Sequence, residues 1–310
     1  KDESSNPSAS FKDRASALLI ARAKEIDADV IVTASTGNAG AALAGMAAAV
    51  GQKAVIFAPK SAPKAKIAQL LVFGARVILV DGSYDDAVEL AVQASDEFGW
   101  YCRNTGYNPF TAEGKKTASF EIWEQVLLQE KLDKPLSIFV SVGDGNIISG
   151  IHKGFKDLAE FGWLEQMPRI FGVQSEGSSA IANAFDAKNE DIRPVSAKTL
   201  ADSISVDMPS DGLRALRAAT ETNGAYIRVN DESILEGIAS LGQSGIFAEP
   251  AAATALSGLV KARELGLIAS SDPTLVMVTG SGLKDVQSAS RAVSAAPIIS
   301  PTIEALKEVL

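Results

Sequence analysis

Two textures alternate along the chain: short runs of β-branched and other apolar residues, and longer segments whose apolar side chains recur at helical spacing. The first run is Asp29–Thr33, followed by a loop from Ala34 to Gly37 and an alanine-rich helix over 38–50. Lys53–Phe57 is the second predicted strand, and Pro59 and Pro63 bracket the loop into a helix through Val72. Arg76–Val80 is the third, ending at Asp81-Gly82-Ser83 before a helix over 85–98, with Trp100–Arg103 as a candidate fourth. Strand and helix alternating in units of this length predict a small open α/β domain on a parallel sheet.

After Asn104 a loop containing Gly, Asn and Pro runs through Pro109, and a long helix is predicted over 113–130. Ser137–Ser141 is the next strand. It runs directly into Val142-Gly143-Asp144-Gly145-Asn146, ahead of a helix carrying Ile147, Ile148, Ile151 and Phe155. Further strands are predicted at Arg169–Gln174, Tyr226–Val229 and Thr274–Val278. Residues 186–210 are polar and contain Pro194 and Pro209, so they read as a surface loop. There is no repeat at solenoid spacing and no low-complexity segment.

Near the N-terminus, Asn6-Pro7-Ser8-Ala9-Ser10 is a turn signal ahead of Phe11, after which Ala15, Leu18, Leu19 and Ala23 keep helical spacing. Ser10 is placed to cap that helix, which puts Lys12 in its first turn. A cation there opposes the helix dipole, so the position is poor for a merely structural lysine. An amine in a partly buried, electropositive place has the lowered pKa that a nucleophilic lysine needs. A lone lysine on a helix is far more often a solvated one, and it is the loops that change the balance.

Each loop of interest follows the carboxyl end of a predicted parallel strand, where open α/β sheets bind ligands. Ser35-Thr36-Gly37-Asn38-Ala39-Gly40 offers hydroxyls, an amide and backbone N–H groups at a helix N-terminus. Gly143-Asp144-Gly145-Asn146 does the same after the later strand, its glycines letting N–H groups close on a phosphate. Neither meets the dinucleotide fingerprint or the P-loop pattern. Thr279-Gly280-Ser281-Gly282-Leu283-Lys284-Asp285 ends the last strand with a hydroxyl. Singly, each is an ordinary strand–helix connection more often than a site.

The 310 residues suffice for one large or two closely joined domains. A formal charge of -9 argues against nucleic acid or an anionic membrane as a main partner, while leaving room for a local basic pocket. The alanine-rich stretches near 39–50 and 251–260 are too short and interrupted to span a bilayer. No signal peptide is visible, and Cys102, the one cysteine, suits a reducing cytoplasm. His152 is the only histidine, which disfavours a serine-hydrolase triad or a histidine metal site. His152, Cys102, Trp100, Trp123 and Trp163 read as packing or surface residues, and no metal site is expected.

Taken in order, Asn-Pro-Ser-Ala-Ser-Phe-Lys-Asp-Arg, Ser-Thr-Gly-Asn-Ala-Gly, Gly-Asp-Gly-Asn and Thr-Gly-Ser-Gly-Leu-Lys-Asp resemble the motifs of pyridoxal-phosphate enzymes of the tryptophan-synthase β-subunit fold. Within them the chain is most similar to the threonine synthases. The resemblance implies fold type II: two open parallel-sheet α/β domains with the cofactor, pyridoxal 5'-phosphate, between them. Residues 25–112 would form the small domain, and residues 1–24 with 113–310 the large one that carries the cofactor. It makes Lys12 the Schiff-base lysine and Asn38 the partner of the cofactor's 3-hydroxyl. Gly143, Asp144, Gly145 and Asn146 would hold the cofactor phosphate, and Thr279 the pyridine nitrogen. Ser35 and Thr36 would hold the substrate carboxylate. The implied reaction turns O-phosphohomoserine and water into threonine and phosphate, in a cytoplasmic homodimer.

The chain departs from that pattern in two places. Where threonine synthases usually have an arginine that grips the substrate phosphate, Thr111 stands in Asn108-Pro109-Phe110-Thr111-Ala112-Glu113-Gly114-Lys115-Lys116-Thr117. Lys115 and Lys116 are the candidate replacements, as point charges without a planar fork. Only eleven residues precede Lys12, so the chain is expected to be a fragment or a trimmed form. The missing arginine supports an alternative in the same fold, a serine/threonine dehydratase or related β-eliminating lyase. The βα units alone would allow a metabolite-binding protein without chemistry.

Overall fold

In the computed structural model, which describes residues 1–310, the strands assemble into two parallel sheets of the same topology. β1 (Val30–Ala34), β2 (Lys53–Pro59), β3 (Arg76–Val80) and β4 (Tyr101–Cys102) lie in the order β3-β2-β1-β4. β5 (Ser137–Ser141), β6 (Arg169–Ser175), β7 (Tyr226–Val229) and β8 (Thr274–Val276) lie in the order β7-β6-β5-β8. In each sheet the chain winds outward for three strands and then returns to the other side of the first. β1 and β5 are therefore internal and buried along their whole length, and both read as nearly unbroken apolar runs. The loops leaving them sit where the strand order reverses, the place open α/β sheets offer to ligands.

The N-terminal segment is stitched to the second sheet. Glu3 donates its N–H to the Val278 carbonyl at 2.9 Å, and the Val278 N–H reaches the Lys1 carbonyl at 3.0 Å. Farther along, the Phe11 N–H bonds the Thr279 carbonyl at 2.8 Å and the Ser281 N–H bonds the Ala9 carbonyl at 3.1 Å. β8 accordingly ends at Val276, two residues short of the predicted 278, because the backbone beyond it pairs with the N-terminus. The buried carboxylate of Glu3 receives Arg14 at 2.7 Å, and Arg14 also reaches Glu121 at 2.6 Å. The helix Lys12–Glu25 starts from this anchored segment and packs against the helices Asn38–Val50 and Phe110–Lys115.

Three expectations are revised. Ser10 does not cap the first helix: its hydroxyl is buried without a partner, while the Asp13 carboxylate takes the N–H and hydroxyl of Ser8. The helix expected over 113–130 begins at Phe110, whose N–H is accepted by the Asn108 side chain at 3.0 Å. It is interrupted at Lys116, resumes at Thr117–Ile122, and continues as a wider π turn over Trp123–Leu127 that sets Trp123 against Trp163. The 186–210 segment is irregular as predicted, yet not all surface: Ala201 and Ile204 are buried around a short 3-10 turn, Asp202–Ile204. No helix is long and apolar enough to cross a membrane.

Candidate active site

A cleft opens between the carboxyl ends of the two sheets. Phe11, Lys12, Asn38, Gly143, Glu249 and Thr279 contribute to its wall, so four distant sequence motifs meet there. Lys12 arrives through a turn that holds Ala9 at φ 63, a left-handed conformation that is unusual for a residue with a Cβ. The strain is sustained by the hydrogen bonds on either side of the turn. Burial is the main force lowering the pKa of the Lys12 amine, and the Arg103 charge lowers it further. No group of the chain hydrogen-bonds that amine.

The Gly143–Asn146 loop passes from β5 into the helix Asn146–Glu160. The first intrahelical bond is from the Ser149 N–H to the Gly145 carbonyl, at 3.1 Å, so the N–H groups of Asn146, Ile147 and Ile148 point out of the helix end with no helical acceptor. Gly145 has φ +90, and a Cβ there would lie 2.6 Å from the Ala215 side chain. A Cβ on Gly143 would lie 2.8 Å from the Ile204 backbone. Gly145 is thus required by its backbone conformation as well as by close packing, and Gly143 by the approach of the Ile204 backbone. The Asp144 carboxylate accepts the Ser210 hydroxyl at 2.8 Å. The Asn146 side chain is fully engaged, accepting from Lys115 and donating to Asp211, which in turn pairs with Arg214.

On the opposite wall, Asn38 begins the helix after β1, and its amide nitrogen donates to both oxygens of Glu249, at 2.9 and 3.1 Å. Burial raises the pKa of the Glu249 carboxyl, against the Asn38 hydrogen bond and the Lys12 charge. Ser35 and Thr36 form the loop just ahead of Asn38, with the Ser35 hydroxyl accepting the Gly37 N–H at 3.3 Å. Thr279 is buried in the wall beneath Lys12, and its hydroxyl makes no hydrogen bond within the chain.

The two candidate lysines part company. Lys115 is fully buried and bonded to Asn146 of the cleft wall, and burial, Lys12 and Arg103 together push its pKa well below the usual amine value. Lys116 points the other way, pairing with Glu113 and Asp157 at 2.7 Å each, and is not brought to the cleft. Thr111 is also fully buried, its hydroxyl on the Asn108 carbonyl at 2.8 Å. His152 lies on the far side of its helix beside Glu221 at 3.5 Å, and Cys102 is buried in the first sheet.

Two residues of this region escaped the sequence reading. Glu249 precedes Pro250 at the start of an alanine-rich helix, a recognisable helix start whose partner, Asn38, is visible only in three dimensions. Arg103 follows the two-residue strand β4 and is 1% exposed, with its Nε and Nη2 lacking any partner. A buried guanidinium one residue past a parallel strand is a signal, but a strand of two residues is too short to be read with its end.

Two parallel sheets wound alike, with a half-buried lysine and a glycine-lined helix N-terminus in the wall of the cleft between them, define an enzyme of fold type II that uses pyridoxal phosphate. The chain belongs to the pyridoxal-phosphate dependent enzyme family, whose model matches residues 1–280. It is threonine synthase-like: it is 38% identical to the threonine synthase of Methanocaldococcus jannaschii, covering 100% of this chain and 76% of the relative. The threonine synthase of Methanosarcina acetivorans is 33% identical with the same coverage. Among solved structures, the processed form of threonine deaminase isoform 2 from Solanum lycopersicum superposes with a TM-score of 0.79 at 21% identity, over 94% of this chain and 77% of that one. Maize serine racemase gives 0.76 at 23%, over 91% and 82%. At such identities these two show the fold alone.

The residues present fit the family's cofactor. Three free N–H groups at the end of a 15-residue helix suit a phosphate. The amine of Lys12, with no partner inside the chain, suits a carbonyl carbon.

Proposed function

We propose that the chain converts O-phosphohomoserine and water into threonine and phosphate. The observation that carries this reading is a basic cluster with no counter-charge bonded to it: the fully buried Arg103 guanidinium acts on the amines of both Lys12 and Lys115, and none of the three is ion-paired with a carboxylate. Buried charge without a partner is costly, and a dianionic substrate group supplies what the chain withholds. Serine or threonine brings no such group. The threonine synthase relatives support the same substrate.

In this reading the Lys12 amine would hold the cofactor and would move protons at the α and β carbons of the substrate. Burial and the Arg103 charge lower its pKa, which favours the neutral amine that proton transfer needs. The backbone of Gly143–Asn146 takes the cofactor phosphate, and Asn38, oriented by Glu249, donates to the ring hydroxyl. The Thr279 hydroxyl faces the ring nitrogen without forcing it to stay protonated, as a carboxylate would. When bound, the cofactor supplies an electron sink for the carbanion formed at the α carbon. Ser35 and Thr36 receive the substrate carboxylate. Residues 25–112 act as the small domain and the remainder as the large one.

One observation favours the β-eliminating alternative: Thr111 is buried and satisfied within its own turn, so it adds nothing to phosphate recognition. An assay of phosphate release against ammonia release over O-phosphohomoserine, threonine and serine decides between the two. Ammonia from threonine, made faster than phosphate from O-phosphohomoserine, ends the threonine synthase reading.

A further inference from the structure

Arg103 is among the largest fully buried side chains of the molecule, and it is the one whose burial nothing in the chain explains. Its Nη1 donates to the Thr105 hydroxyl at 3.1 Å; Nε and Nη2 have no acceptor at all. No carboxylate lies within ion-pair distance of it. Two unpaired donors on the same edge of a planar fork match two oxygens of a single tetrahedral or planar anion. An unsatisfied guanidinium in a native interior calls for such an explanation.

Its position says which cleft it serves. The Arg103 N–H bonds the Val32 carbonyl at 2.8 Å, at the end of the β1–β4 pairing. The next residue, Asn104, accepts the Thr33 hydroxyl and the Ala34 N–H, both at 2.9 Å, which fixes the turn against the start of the Ser35–Asn38 loop. Arg103 therefore sits at the carboxyl end of the first sheet, on the ligand side. Its charge weakens proton binding by both Lys12 and Lys115, so all three cations share one field. Burial brings its own pKa down only to about 10, and it remains charged at neutral pH.

We propose that Arg103 is a specificity-determining residue that binds the phosphate of a phosphorylated amino-acid substrate, with Lys115 as the second cation. This rests on the reading above that the substrate carries a phosphate. The cofactor phosphate is served from the other sheet, by the N–H groups after Gly145, and does not need this fork. The assignment also moves the grip on the substrate from position 111 to the end of β4.

The test uses the cofactor-loaded enzyme and inorganic phosphate as probe, with calorimetric affinity measured beside KM for O-phosphohomoserine. Arg103→Met is expected to raise the Kd for phosphate and the KM for O-phosphohomoserine each by about 30-fold or more while the cofactor absorbance is unchanged. Arg103→Lys keeps the buried charge but not the fork and is expected to fall between, which separates a lost contact from a lost fold. Homoserine, which lacks the phosphate, is expected to inhibit wild type and Arg103→Met alike. Unchanged phosphate affinity in Arg103→Met overturns the inference, as does loss of the cofactor from both variants. Equal weakening of homoserine overturns it too, because the fork would then hold the carboxylate. If wild type binds phosphate through Arg103 yet fails to turn over O-phosphohomoserine, the inference stands and the proposed reaction falls.

Discussion

The two sheets have one topology and opposite characters. The second is built around two buried clusters of 21 and 19 residues, the first around clusters of 11 and 9, and β3 at its edge is half exposed. The heavier unit also takes in the N-terminal segment, so the turn before Lys12 and the Gly143–Asn146 loop are both anchored to the second sheet. The lighter unit carries Asn38 and Arg103 on strand ends with far less packing behind them. Polar contacts across the cleft are few: Asn38 with Glu249, Lys66 with Asp202 at 2.8 Å, and Lys284 with Gln69 at 3.2 Å. In the proposed reading, the same winding supplies a heavily packed platform for chemistry on one side and a lightly packed wall for substrate recognition on the other.

The most severe way to break this division is at the platform. Lys12→Ala removes an amine that bonds nothing in the chain, so we expect a folded protein whose turnover falls below about a thousandth of wild type. Borohydride treatment followed by mass spectrometry should add cofactor to wild type and not to the variant. Retained activity with an unaltered cofactor spectrum would remove Lys12 from the proposed role. Next in size is the anchor of the same turn. Arg14→Met leaves Glu3, 1% exposed, with only Lys1 at 3.2 Å to balance it, and we expect a loss of about 2–3 kcal/mol in urea unfolding. The Glu121 carboxyl, held down to about 2 chiefly by its Arg14 hydrogen bond, lies below its ordinary value of 4.5. Its contribution is therefore complete above pH 4.5 and is lost as pH falls toward 2. The variant should show a flatter acid limb than wild type.

The same contrast explains what the sequence made legible. The second unit announces itself, because Gly145 is demanded by its local backbone conformation and the turn before Lys12 carries its own Asn-Pro signal, and such local features leave short motifs. β1, β2 and β5 were readable for the same reason: strands buried on both faces must be continuous apolar runs. The substrate wall is assembled from tertiary pairing. β4 is two residues long, Arg103 gains meaning only once Val32 receives it, and Glu249 only once Asn38 does. Lys115 and Lys116 look equivalent in sequence, and one step of roughly 100° around the helix sends the first to the cleft and the second to Asp157. The turn at 202–204 was hidden because a loop that packs its apolar residues non-periodically has no pattern to read.

A milder perturbation addresses the bond between the two units. Glu249→Gln keeps an acceptor for the Asn38 amide and removes a carboxyl whose pKa burial has raised. A carboxyl raised in the folded state is more readily protonated there than when unfolded. It costs stability as pH climbs from the unfolded value through the folded one. We expect the glutamine variant to be more stable than wild type by about 1 kcal/mol at pH 7 and equal to it at pH 4. Lower stability at pH 7 would mean that the carboxylate charge itself, facing Lys12, holds the units together.

The smallest expected effect tests the opposite wall through Lys115. Its pKa is pushed down by burial first and then by two neighbouring cations, so between that lowered value and the ordinary 10.5 the folded chain holds fewer protons at this site than the unfolded one. Stability must then rise with pH between the lowered folded value and the ordinary 10.5, by up to about 1.4 kcal/mol per pH unit. Lys115→Met fills a similar volume and removes the titration, while leaving the Asn146 carbonyl oxygen short of a donor. Near pH 7 these two changes oppose each other, so the net shift in melting temperature should be small. The slope should not be: as pH climbs toward 10.5 from the lowered folded value, the wild type is expected to gain stability that the variant does not. Saturating phosphate should flatten the wild-type slope as well, because an anion beside Lys115 and Arg103 restores the lysine's proton. A wild-type slope that phosphate leaves untouched would place the anion away from Lys115 and leave Arg103 to hold it alone.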